Sequence, residues 1–371
     1  MHFALSDEQE ALREATRRFL ASRAPIGHTR ARLGQGPCPD LWRVATEEQG
    51  WAALTLPEAE GGFGLGLVEQ VVLMEEMGRL VHPSPYFATC VLAAPLLAEY
   101  GGPALREQWL PALMAGEATA TLGWISGPRA WGVEDIGGQA LPEAGGYRLS
   151  GTLLAVVDGA TATLLLVALR CEGEVALFAL EAGATGLSIT AHSTVDPTRP
   201  LATLRLDGVW VDESARLNGG AAALQRALDR AAIALGAEQL GVAEVCLEMA
   251  VDYAKVRHQF GRPIGSFQAI KHKCADLLVK VESARSAVWY AAAVWDGAGE
   301  PEEGRLVAPM VRSWCADAAF SVSADNIQIH GGIGFTAEHD AHLYFKRAQS
   351  SGALLGDAAW HREQLARRLG W

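Results

Sequence analysis

The spacing of apolar positions changes twice along the chain, and each change marks a different kind of structure. Residues 1–119 carry the three-to-four-residue spacing of helices. Ser6 with Gln9 three positions on forms a capping box for the first of them. A second runs over Leu67–Leu80, entered from the glycine-rich GGFGLG at 61–66 and followed by Pro83 and Pro85. Residues 120–222 switch to short runs separated by glycine clusters: GYRLSG (146–151), TATLLLVALR (161–170), EVALFAL (174–180) and LATLRLDGVWV (201–211). These predict a small antiparallel β domain. From residue 223 the helical period returns. Val242, Cys246, Met249, Tyr253 and Val256 form one apolar stripe, and Pro263 breaks that helix. Further helices are expected over Phe267–Ala293, Ala308–Ile329 and Leu343–Leu355. The chain is therefore α+β, mainly α: an N-terminal helical domain (1–119), a middle β domain (120–222) and a C-terminal helical bundle (223–371).

Composition narrows the function. At 371 residues with half of them hydrophobic, the chain can bury a large core. No apolar run is long enough to span a bilayer. The N-terminus lacks the basic start and apolar stretch of a signal peptide, so a cytoplasmic location is expected. The six cysteines are scattered, without a CxxC pair, which argues against zinc and a disulfide scaffold and for reduced core residues. A net charge of −12 argues against nucleic acid or an anionic membrane as partner. Positive charge is nevertheless concentrated at Lys255, Arg257, His258, Arg262, Lys271, His272 and Lys273, where an anionic cofactor is still possible.

Two segments carry candidate chemistry. In RHQFGRPIGSFQAIKHKCADL (257–277), Arg257 sits at a helix end before Phe260 and a Gly261 turn. Arginine can hold a pyrophosphate with two hydrogen bonds, and an aromatic ring can pack on a purine or sugar. Taken alone, the segment reads more readily as a basic helix end complementing the dipole. In NIQIHGGIGFTAEHDAHLYFKRA (326–348), Gln328 precedes Gly331, Gly332 and Gly334, which allow backbone to approach a ligand. Glycines after a helix are also a plain C-cap, and HGGIG is not the glycine fingerprint of a dinucleotide fold.

Together with PEAEGGFGLG (57–66), EEMGR (75–79) and the three-part organisation, these segments make the whole chain resemble the acyl-CoA dehydrogenase family. The resemblance implies an acyl-CoA substrate, FAD as cofactor and an electron-transfer flavoprotein as acceptor. It places Arg257, Phe260, Gln268, Gln328, Gly331 and Gly332 along the adenosine diphosphate half of FAD. That half is bound across a subunit interface in the family, so a dimer or tetramer is expected.

The departures from the family pattern are concentrated at the other end of the cofactor. Aligned from LYFKRA, the family's catalytic glutamate falls on Leu355; the alternative base position on an earlier helix falls on Ala231. Glu238 lies two helical turns past Ala231, roughly 10 Å away by helix rise. It and Glu244 are the remaining carboxylates to weigh as a relocated base, and helix–helix pairing is the favoured role for both. The flavin-ring segments are replaced by GWISGPRAWGVED (123–135) and LAVVDG (154–159), leaving Trp124 and Trp131 more readily core than cofactor contacts. This asymmetry resembles the base-lacking chains of bacterial α₂β₂ acyl-CoA dehydrogenases acting on sterol side chains or rings. A self-sufficient homo-oligomer, a non-catalytic CoA-thioester- or FAD-binding subunit and an oxygen-using flavin oxidase stay open as alternatives.

Overall fold

The computed structural model describes residues 5–298 and 301–371, so the first four residues of the N-terminal stretch lie outside it. Among the described residues eleven α-helices and one main sheet are formed, in the order helices, sheet, helices. Before the sheet come α1 (Asp7–Arg23), α2 (Ile26–Ala31), α3 (Pro39–Gln49), α4 (Leu67–Arg79), α5 (Ala94–Tyr100) and α6 (Pro103–Met114). After it come α7 (Gly220–Val256), α8 (Gln268–Ala293), α9 (Pro301–His330), α10 (Ala341–Ala353) and α11 (Ala358–Arg368). The expected capping box is in place: the Ser6 hydroxyl accepts from Gln9 N, and Ser6 N donates to Gln9 Oε1.

The chain forms two compact units. One spans Arg32–Gly66 and Pro83–Ala231 and holds the sheet. Its strands are β1 (Ala120–Gly123), β2 (Gln139–Glu143), β3 (Gly146–Val157), β4 (Leu164–Cys171), β5 (Glu174–Glu181), β6 (Leu187–His192), β7 (Leu201–Asp212) and β8 (Arg216–Leu217), in the spatial order β6-β7-β3-β2-β4-β5-β8. The pairing departs from an all-antiparallel sheet, because β1 lies parallel to β4 in the register Ala120↔Leu164. Leu149, Leu153, Leu165, Val167, Phe178 and Leu204 are fully buried at its centre. All but one residue of β4 are buried, which is why its sequence is a continuous apolar run instead of an alternating one.

The other unit comprises the chain up to Ala31, Leu67–His82 and Ala232–Trp371. It is built from α1, α4 and the C-terminal helices. Here α4 and α7 cross with their backbones in contact: a Cβ on Gly78 would lie 2.1 Å from Glu238 O, and one on Gly241 would lie 2.0 Å from Glu75 O. Only glycine fits such a crossing. This accounts for the glycine of EEMGR. Around the crossing the carboxylates are ion-paired: Glu75 with Arg285 (2.6 Å), Glu76 with Arg17 (2.6 Å), and Glu244 with both Arg79 and Arg285. The α4 N-terminus is capped from far along the chain, as Leu67 N and Val68 N donate to the Asp296 carboxylate at 2.9 Å each.

Two sequence expectations need correction. The helix expected over Leu343–Leu355 stops at Ala353, and α11 follows where none was expected. The cysteines are all free thiols, but Cys38 and Cys274 are half-exposed and do not belong to the core. Among the described residues no helix is long and apolar enough to cross a membrane.

Candidate functional site

The unit that contains the C-terminal helices presents two places of interest. The first is where α7 and α9 end. Helix α7 stops at Val256, seven residues before Pro263, and the intervening chain folds into a hairpin pairing His258–Gln259 with Arg262–Pro263. The two turn residues, Phe260 (φ 53°) and Gly261 (φ 78°), are both left-handed, as a tight two-residue hairpin of this twist requires. Glycine adopts that backbone freely; phenylalanine does so at a cost and is 90% exposed there. Phe260 meets Phe267 edge-on at 6.1 Å, and the Arg262 guanidinium lies over the Phe267 ring at 4.1 Å. Arg257 continues the helix by one bond, its N–H donating to Tyr253 O.

At the end of α9, Asn326 and His330 point inward while Gln328 points out. The 3₁₀ turn Gly331–Phe335 follows. A Cβ built on Gly331 or Gly332 would meet nothing within 4 Å, so the backbone there faces open space. The side chains of Arg257, Gln268 and Gln328 are exposed and make no hydrogen bond or ion pair among the described residues. An exposed guanidinium, two exposed amides and bare glycine backbone fit the diphosphate and adenosine part of a dinucleotide.

The second place is the loop after α10. Leu355 occupies it with a left-handed backbone (φ 61°) and a side chain only 4% exposed. The loop is held by its carbonyls. The fully buried Arg312 donates from Nη2 to Ser351 O and to Leu354 O (2.7 Å), and from Nη1 to Gln239 Oε1 (3.2 Å). His361 Nε2 donates to Leu355 O at 3.0 Å. Burial, and then the nearby Arg312, depress the His361 pKa to about 2, so the ring is neutral. Asp357 caps α11 by accepting from Trp360 N. Ala231, within α7, is fully buried. Neither Leu355 nor Ala231 has a group that could take a proton.

The two carboxylates left to weigh are already engaged. Glu238 is 3% exposed, 3.3 Å from Arg347 Nη1, and accepts from Ser351 Oγ at 3.1 Å. Burial works to raise the Glu244 pKa, but Arg79 and Arg285 outweigh it and hold the carboxyl below its ordinary range. Sequence reasoning missed Arg312, Arg347 and His361. A signal existed for Arg347: it falls between Leu343 and Ser351 at steps of four, a charged residue on the buried face of α10.

In the sheet-bearing unit, the segment after β1 is closed on itself. Trp124 is buried and its indole N–H donates to Trp131 O (3.2 Å); Ser126 Oγ donates to Asp135 O, and Gly137 N donates back to Ser126 Oγ, each at 2.9 Å.

With this geometry in view, the comparisons with known proteins are specific. Residues 6–117 match the acyl-CoA dehydrogenase N-terminal domain, and residues 218–370 match the acyl-CoA dehydrogenase C-terminal domain. The chain belongs to the acyl-CoA dehydrogenase family, and with it to the FAD-dependent oxidoreductases of the acyl-CoA CH–CH bond. It is 36% identical to acyl-CoA dehydrogenase IpdE2 of Mycobacterium tuberculosis over 94% of this chain and 93% of that protein. It is 34% identical to acyl-CoA dehydrogenase FadE34 of the same organism, over 98% of this chain but only 48% of FadE34. Among solved structures, a chain of the ChsE4–ChsE5 complex of M. tuberculosis superposes with a TM-score of 0.91 at 29% identity, covering 100% of this chain and 99% of that one.

Proposed function

We propose that this chain is the base-lacking, nucleotide-clamping subunit of a heteromeric acyl-CoA dehydrogenase, paired with a related chain that supplies the carboxylate. The observation carrying this reading is the division of labour within one chain: donor groups stand ready at the ends of α7 and α9, while Leu355 and Ala231 occupy the base positions. Desaturation at Cα–Cβ needs a carboxylate to remove the α-proton and fixed donors for the charge growing on the thioester oxygen. FAD, when bound, accepts the hydrogen that leaves Cβ. Arg257 would hold the pyrophosphate, with Gln268, Gln328 and the Gly331–Gly332 backbone along the adenosine side and Phe260 packed against it. The Leu355 N–H remains able to donate to a thioester oxygen, whatever the side chain.

Because Arg257, Phe260 and Gln328 are exposed in the single chain, the clamp is suited to a cofactor shared with a neighbour, which supports a dimer or tetramer. The ChsE4–ChsE5 structure is a complex of two differently named proteins, and FadE34 has room for a second unit of this size. Both support a related chain as partner; an electron-transfer flavoprotein as acceptor and a cytoplasmic setting are part of the same proposal. Glu238 and Glu244 are each committed to arginines, which supports a structural role for both.

The test is an absorption spectrum and a light-scattering mass for the purified chain, alone and co-expressed with its genomic neighbours. Flavin absorbance should appear only with a related chain present, in an assembly larger than a monomer. A lone chain that purifies yellow and turns over a CoA thioester would overturn the proposal.

A further inference from the structure

The apolar stripe of α7 packs on the last turns of α9. Met249 Sδ lies 4.0 Å from Asn326 Nδ2, and one turn further on the Tyr253 and His330 rings stack with centroids 4.3 Å apart and planes 26° from parallel. His330 is 6% exposed, and its Nδ1 donates to Asn326 O at 2.8 Å, which fixes the ring's orientation. Its ring centroid also lies 4.5 Å from that of His339. Tyr253 precedes Arg257 by four residues and so lies on the same face, about 6 Å back along the helix. His330 is bonded directly to Gly331. The stacked pair therefore joins α7 one turn before Arg257 to α9 immediately before Gly331.

We infer that Tyr253 and His330 are positioning residues for FAD: their stack fixes the distance between the Arg257 guanidinium and the Gly331–Gly332 backbone. This inference rests on the clamp assignment proposed above. An aromatic stack has a preferred geometry and contributes beyond the area it buries, which an aliphatic contact of similar size does not. Loss of it would let the two helix ends drift, and a charge-assisted bond to a pyrophosphate is sensitive to such drift.

The experiment is a double-mutant cycle on the assembled enzyme, with FAD affinity measured by the fluorescence of released flavin. Tyr253→Leu should raise the FAD Kd about two- to tenfold, the range expected for an aromatic pair. Tyr253→Phe, which keeps the ring, should leave it unchanged. In an Arg257→Ala background the Tyr253→Leu effect should largely vanish, because the two act on one contact. Where Tyr253→Leu does not assemble, His330→Leu replaces it in the same cycle. An equal effect in both backgrounds, or an equal loss in Tyr253→Phe, would mean a merely structural role and overturn the inference. Loss of FAD in Arg257→Ala with none in Tyr253→Leu would overturn it while leaving the clamp assignment intact. No loss in Arg257→Ala would remove the clamp assignment and the inference together.

Discussion

Within one compact unit, the ends of α7 and α9 and the loop after α10 use their polar groups in opposite ways. At the helix ends the groups that could meet a ligand are exposed: Arg257, Gln268 and Gln328 have no protein partner among the described residues. At the loop the side-chain donors Arg312 and His361 are turned inward and hold three carbonyls of residues 351–355. The loop thus keeps a leucine in a left-handed conformation, which costs about 1–3 kcal/mol and persists only where the surroundings impose it. The side chain at this position has no group that could take a proton, while the backbone beneath it is firmly held. Shape and chemistry are separable at this position because main-chain clamps set the first and a single residue set the second.

The largest expected effect probes the loop. General-base catalysis contributes about 10²–10⁴-fold. The chain supplied with excess FAD but no partner should therefore desaturate acyl-CoA slower by at least that factor than the co-assembled enzyme, in a dye-reduction assay. Comparable rates with and without partner would show that a base exists in this chain and would break the contrast between its two ends.

The second effect sharpens the same contrast through pH. Burial, then His28 and Arg347, lower the His82 pKa to about 3, and His361 titrates at about 2. In the unfolded chain both are charged below about pH 6.5. The unfolded state therefore binds more protons, and the stabilisation present above pH 6.5 is lost as the pH falls toward 3. The slope should be about 1.4 kcal/mol per pH unit for each histidine. Urea unfolding at pH 7, 6 and 5 should show it, and His82→Leu should remove one proton's share. A pH-independent midpoint over that interval would contradict the burial of these neutral rings.

Much of this was legible beforehand, and the exceptions have physical causes. Strands β3, β4, β5 and β7 and the long helices announce themselves because each buries a continuous face. Strand β6 was missed because most of it is exposed, and α11 because only His361 among its residues is buried. The Arg257 and Gln328 segments could be read as motifs since the residues that carry the family resemblance are contiguous in the chain. The clamps could not, because Arg312 and the carbonyl it holds at Leu354 are 42 positions apart and meet only in the folded chain. Similarly, the capping of α4 by Asp296 joins residues more than 200 apart.

The third prediction tests the exposed end. If Arg257 pairs with the pyrophosphate, Arg257→Ala removes a charge-assisted bond worth about 1.5–3 kcal/mol. FAD affinity of the assembled enzyme should fall by about tenfold or more. Arg257→Lys should restore part of it, because the charge returns without the two-pronged geometry. Circular dichroism should be unchanged, since the side chain is exposed and makes no hydrogen bond or ion pair among the described residues. Unchanged flavin retention in Arg257→Ala would mean that the exposed donors serve something other than FAD.

The smallest expected effect is on turnover in Glu238→Gln and Glu244→Gln, measured per bound flavin in the assembled enzyme. A general base must present a free carboxylate to its substrate. Glu238 is enclosed by Arg347 and Ser351, and Glu244 bridges Arg79 and Arg285, so neither has an oxygen to spare. Rates should stay within about twofold, far from the 10²–10⁴ of a lost base. Stability should respond instead. Glu238→Gln leaves the guanidinium of Arg347 (1% exposed) without its carboxylate, and breaking a buried pair costs about 3–5 kcal/mol. Glu244→Gln should cost less, since Arg79 keeps Glu76 and Glu248, and Arg285 keeps Glu75. A variant that folds normally and loses turnover by a hundredfold would identify its glutamate as a relocated base. The loop after α10 would then be a scaffold whose chemistry had moved elsewhere in the same chain.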